Sequence, residues 1–190
     1  MLAINQIRRR VLFGIQVAMF TSGMHANAFA GSIGATANPF DPSEAEPGLS
    51  VAIEYYHPGL DHYFLTADPT EIQALANGRF QGWVTTGQKF AVLPPDSMVG
   101  TSTPVCRFYS QRLGSHFYSA QPNECDEVKV RFSDSWTLES DDVYRAFLPD
   151  AWGACPLGTQ AVYRLWNNRA DSNHRYTTDP SIAMMMKSKG

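Results

Sequence analysis

One order of residue types returns three times along this chain, and a chain that repeats itself is built from copies of one local unit packed on one another. Unit one reads Glu54-Tyr55-Tyr56, then His62-Tyr63-Phe64-Leu65-Thr66, then Asp68-Pro69. Unit two reads Arg107-Phe108-Tyr109, His116-Phe117-Tyr118-Ser119 and Gln121-Pro122. Unit three reads Arg164-Leu165-Trp166, His174-Arg175-Tyr176-Thr177-Thr178 and Asp179-Pro180. The histidines lie 54 and 58 residues apart, so the copies differ by small loop insertions.

Each copy has a local reading. Val51 to Tyr56 is rich in strand formers and meets the polar turn His57-Pro58-Gly59-Leu60-Asp61, after which a second such run follows, which is a hairpin signal. Asp68-Pro69-Thr70-Glu71 then marks a helix start, with Asp as cap, Pro at the first helical position and Glu three residues after the cap. The spacing predicts a short helix over 70–76. Gly82-Trp83-Val84, a turn at Thr86-Gly87 and Lys89 to Leu93 predict a closing pair of strands, matched in unit two by Trp136 to Leu138 and Val143 to Phe147. Unit three stops at Gly190, the counterpart of Gly82, so it reads as incomplete, and the favoured expectation is a fragment rather than strands supplied by a partner. The domain expected is therefore 50–190, divided as 50–100, 101–152 and an incomplete 153–190. The expected fold is mainly β with short helices, three pseudo-equivalent units in a β-trefoil-like arrangement, the alternative being propeller-like or irregular β packing.

The N-terminal end reads as a secretory signal over 1–30: Arg8 to Arg10 are cationic, Val11 to Phe20 is apolar apart from Gly14 and Gln16, and Ala28-Phe29-Ala30 offers small residues for cleavage. Ten residues fall short of the about 20 that a spanning helix needs, so no stable membrane span is expected. Small residues, Pro and acids over 31–49 read as a flexible leader. The expected location is secreted, periplasmic or cell-surface. Losing three arginines from the 15 basic residues leaves 12 against 18 acids, a net charge of −6. Sparse, scattered cations argue against nucleic acid as a partner.

An exported chain with an odd cysteine count implies a free thiol or an absent partner. Cys106 and Cys125 lie 19 positions apart within one unit and are the expected bridge, worth about 3 kcal/mol by loop closure. The partner of Cys155 is expected beyond residue 190.

The chain has no G-x-S-x-G elbow, H-E-x-x-H helix, phosphate-binding glycine loop or C-x-x-C pair, and no cofactor is implied. His62, His116 and His174 would form a zinc set if a threefold axis made them converge; the favoured reading has each ring fixing its own turn. Strand alternation places Ile53 and Tyr55, Cys106 and Phe108, and Tyr163 and Leu165 on an apolar core face. The opposite face pairs Glu54 with Tyr56, Arg107 with Tyr109 and Arg164 with Trp166, and Asn167, Asn168, Arg169 and Asp171 add polar reach. Rings beside polar donors suit a sugar, so Arg107, Tyr109, Arg164, Trp166 and Asn167 are the ligand candidates. Arginine stacked on a ring also pins one strand to another, which is the structural reading of the same pairs.

The Arg-Phe-Tyr and His-Phe-Tyr-Ser of unit two, with Val162 to Asn167 and Asn173 to Thr177 of unit three, resemble the secreted tandem-repeat module of bacteria and fungi known as domain-of-unknown-function family 5648. The resemblance covers about 50–190. It implies an exported protein or an accessory module on envelope and degradative enzymes, with a third unit ending in a Gly-Trp segment and a late cysteine. This chain departs from the family there. The family brings no activity, so no catalytic residue is carried over. The expectation is an exported non-catalytic binding module for a glycan or cell-envelope polymer. The alternatives are a hydrolase or envelope-enzyme accessory, and a protein-interaction domain of adhesin or inhibitor type.

Overall fold

The computed structural model describes residues 47–189 in full and residues 16–20 as backbone. The signal expected over 1–30 and the leader over 31–49 lie outside the described residues, apart from 16–20 and 47–49. In chain order the elements are β1 (Gln16–Phe20), β2 (Ser50–His57), β3 (His62–Thr66), α1 (Pro69–Ala76), β4 (Val84–Val92), β5 (Thr103–Pro104), β6 (Cys106–Ser110) and β7 (Ser115–Ser119). Then follow α2 (Pro122–Arg131), β8 (Thr137–Ser140), β9 (Arg145–Ala146), β10 (Thr159–Trp166), β11 (His174–Thr177) and α3 (Pro180–Ser188). Among the described residues the protein is mainly β with three short helices, and its small antiparallel sheets have the orders β3-β2-β4, β7-β6-β8, β1-β10-β11 and β5-β9, none closed on itself. No helix among the described residues is long and apolar enough to cross a membrane.

Hairpin one (β2–β3), hairpin two (β6–β7) and hairpin three (β10–β11) each run directly into a helix. The cause is local. Thr66, Ser119 and Thr177 end the second strands, and each hydroxyl accepts the backbone N–H two residues on, at 3.0, 3.0 and 3.1 Å, turning the chain out of the sheet. Proline then occupies the first helical position in all three. Asp68 and Asp179 cap α1 and α3 through their carboxylates, whereas Gln121 before α2 makes no side-chain cap.

Two strands expected at 82–93 are one. β4 runs from Val84 to Val92 and bulges, its register jumping from Lys89 opposite Ile53 to Thr85 opposite Tyr55. Gly87, at φ +81°, supplies the left-handed step that the bulge requires. Unit two keeps the two segments apart as β8 and β9.

The main core gathers Ala52, Ile53, Tyr55, Phe64, Leu65, Val92, Tyr118, Tyr144, Val162 and Tyr176 with Ile72 and Leu75 of α1. A second cluster of Phe108, Phe117 and Val128 surrounds the disulfide Cys106–Cys125, which ties β6 to α2 as expected. Burying each such large side chain is worth about 1.5–3 kcal/mol. Tyr163, expected in the core, is only partly buried; Leu165 is buried. Both faces of β2 and β6 are covered here, because Glu54 and Arg107 are also buried.

Candidate functional site: the meeting point of three hairpins

β3, β7 and β11 pack against one another. Counting back from Thr66, Ser119 and Thr177, the residues four positions earlier are His62, Ser115 and Asn173, all at most 3% exposed. Each follows a left-handed residue, Asp61 (φ 55°), Gly114 (φ 58°) and Ser172 (φ 39°). Each then reaches another hairpin. The His62 ring Nδ1 lies 3.0 Å from the Gly114 carbonyl, and Ser115 Oγ donates to the Ser172 carbonyl at 2.8 Å. Asn173 accepts from the Tyr63 N–H at 2.8 Å and donates to the Tyr63 carbonyl and to Ser115 Oγ. These side chains knot the three hairpin tips together.

The three histidines do not share one position. His62 stands four residues before its strand-ending threonine and opposite His57, whereas His116 and His174 stand three before theirs, opposite Tyr109 and Trp166. Their counterpart in hairpin one is Tyr63. No group of three or more His, Cys, Asp or Glu side chains among the described residues is placed to hold a metal.

One layer out, charge and rings close the junctions between hairpins. Arg107 reaches Glu71 of α1 with both terminal nitrogens, at 2.9 and 2.7 Å, and places Nε 2.8 Å from Glu139. Its guanidinium lies over the Phe64 ring, which itself meets His116 at 4.6 Å. Arg164 repeats this on Glu124 of α2 at 2.9 and 3.0 Å, over Phe117, which meets His174 at 5.2 Å. Thr66 and Ser119 donate to the same two glutamates. At the third junction Ile182 stands where the helix glutamate would be, and Arg175 of β11 donates to Glu54 of β2 at 2.8 Å from two nitrogens, lying 4.2 Å over Tyr63. Tyr118 donates to the Leu65 carbonyl and Tyr176 to the Tyr118 carbonyl, so two rings stitch the same three strands inside.

Burial opposes the charge of Arg107, yet the Glu71 hydrogen bonds and the nearby carboxylates hold its pKa above the ordinary value. Burial alone would raise Glu139, but His116 and Arg107 bring it below the usual carboxylate range. Burial, and then the Arg164 charge, push His174 down to about 3.

Of the ligand candidates, Arg107 and Arg164 are engaged by these carboxylates. Tyr109 is partly buried, its ring tilted against that of His116 with centroids 4.8 Å apart. Trp166 is half exposed at the tip of hairpin three, and its indole N–H donates to Ser172 Oγ at 3.1 Å. Beside it Asn167 donates to Asp171 at 2.9 Å, and Arg169 binds Asp171 and reaches Asp61 of hairpin one, which also accepts from Tyr56. Hydrogen bonding to Arg169 holds the Asp171 carboxyl low. The structure thus groups Trp166 and Asn167 in one exposed aromatic and polar cluster over the buried knot. The sequence reading missed Ser115, Asn173 and the clasp residues Glu71 and Glu124. Aligning the copies on Thr66, Ser119 and Thr177 would have found the first two.

The class is a mainly β, disulfide-containing protein whose hairpins meet through polar tips. The chain belongs to the family described as Domain of unknown function (DUF5648), whose model matches residues 51–190. No curated protein and no solved structure matches the chain.

Proposed function

We propose that this chain is an exported binding module in which three repeated hairpin–helix units surround one pseudo-threefold axis in a trefoil-like manner, and that the Trp166 cluster binds a glycan or cell-envelope polymer. The observation that carries the reading is the half-exposed Trp166 ring, oriented by Ser172 and flanked by Asn167, Arg169 and Asp171. An aromatic face covers the apolar C–H surface of a sugar while amide and charged groups bond its hydroxyls. Tyr109 offers a second ring, and Arg107 and Arg164 serve the site by holding the hairpins in place. Export is supported by the charged, apolar and small-residue pattern over 1–30 and by the Cys106–Cys125 bridge.

The test is a glycan array with the full chain. Binding that weakens about tenfold or more in Trp166→Ala supports the reading; absence of any glycan signal sinks it. A protein-interaction reading then leads, favoured by Trp152 and Leu157, which are 90% and 102% exposed on the approach to β10.

A further inference from the structure

The sheet of hairpin three is completed from an unexpected part of the chain. In the sheets of hairpins one and two the strand beside the first strand comes after the helix, as β4 and β8. In the third sheet that place belongs to β1, Gln16–Phe20, from the apolar run read as the centre of a secretory signal.

The substitution is in register. Lys89, Phe90, Ala91 and Val92 of β4 stand opposite Ile53, Ala52, Val51 and Ser50; Gln16, Val17, Ala18 and Met19 stand opposite Tyr163, Val162, Ala161 and Gln160. Tyr163 and Ile53 both lie opposite a strand-ending threonine, so the two ladders correspond pair for pair. The residue types match as well: one polar residue, one apolar, alanine, one apolar. β1 also lies against β4, the strand that fills this place in the first sheet, and against β9.

The need is physical. Among the described residues β11 pairs only with Tyr163–Trp166, and the strand that pairs with Thr159–Val162 is β1. Val162 is 3% exposed within the main core, where unpaired backbone groups are costly. We propose that the outer edge of β10 is a strand-accepting site, occupied in the full chain by its own Gln16–Phe20 segment, and that removal of this segment opens the edge to antiparallel addition of an extended apolar segment of the same pattern.

Hydrogen exchange on the full chain tests this. In Val17→Pro, which removes a β1 N–H that faces β10, exchange over 159–162 should quicken about tenfold or more while 50–53 is unchanged. A synthetic peptide of residues 14–22 at millimolar concentration should restore protection, and a scrambled peptide should not. Unchanged exchange at 159–162 in Val17→Pro, or no rescue by the peptide, overturns the proposal. Should Val17→Pro loosen the whole domain, cross-linking decides in a Cys155→Ser background. Val17→Cys with Val162→Cys, or Ala18→Cys with Ala161→Cys, should close a disulfide at one of these adjacent pairs. Closure at neither overturns the proposal.

Discussion

Two junctions between hairpins are closed by an arginine on a first strand reaching a glutamate on the preceding helix; the third is closed by a glutamate on a first strand reached by an arginine on a second strand. Arg107–Glu71 and Arg164–Glu124 follow the first pattern, Glu54–Arg175 the second. The reversal teaches that the junction requires a paired charge over a ring at that place and is indifferent to which strand brings which sign. The pairs also differ in depth. The side chains of Arg175 and Glu54 are 9% and 2% exposed, whereas Glu71 and Glu124 remain 30% and 29% exposed. A deep pair is costly to break singly and cheap to replace as a whole, and a half-solvated pair is neither.

The largest effect follows from that depth. Arg175→Leu strands a buried carboxylate, and its unfolding free energy in urea should fall by about 3–5 kcal/mol. Adding Glu54→Leu should recover most of the loss; a double variant no better than the single one breaks the comparison. Opening the Cys106–Cys125 bridge by paired serine substitution comes next, at about 3 kcal/mol, and isolates what junction two gains from its cross-link. Arg164→Leu leaves Glu124 able to take up water, so denaturant unfolding should show a smaller loss of about 1–2 kcal/mol. A loss equal to that of Arg175→Leu would make the two patterns energetically alike.

The subtlest difference is in acid. An unfolded histidine titrates near about 6.5, and folding pushes His174 down to about 3. The neutral ring's contribution is therefore full above about pH 6.5 and is lost as the pH falls through that window towards about 3. The acid limb of the stability curve should be shallower in His174→Gln. NMR should find the His174 ring of the native protein still neutral at pH 5.

The elements were legible wherever a local cause acts. Thr66-Ala67-Asp68-Pro69 and Thr177-Thr178-Asp179-Pro180 each end a strand and start a helix within four residues, with the capping bonds that the sequence implies. The Cys106–Cys125 bridge was legible for the same reason, since both cysteines belong to one hairpin–helix segment. The bulge in β4 was not. Thr86-Gly87 reads as a turn, whereas in the structure it is a kink within a continuous strand, with the Thr86 hydroxyl donating to Glu54 at 2.7 Å. Glu71, three residues after the Asp68 cap, reads as half of a capping box; its carboxylate turns instead to Thr66 and Arg107.

Residue order by itself determined where strands turn, where helices start, and which faces carry rings and charge, because hydroxyl turns, proline and period-two alternation act over a few neighbouring residues. Only the tertiary structure decided what those charges face. Arg107 finds Glu71 and Arg175 finds Glu54 across 36 and 121 residues of chain, and His62 reaches the carbonyl of Gly114. Such partners are set by how three hairpins pack in space, and spacing along a backbone carries no record of that packing.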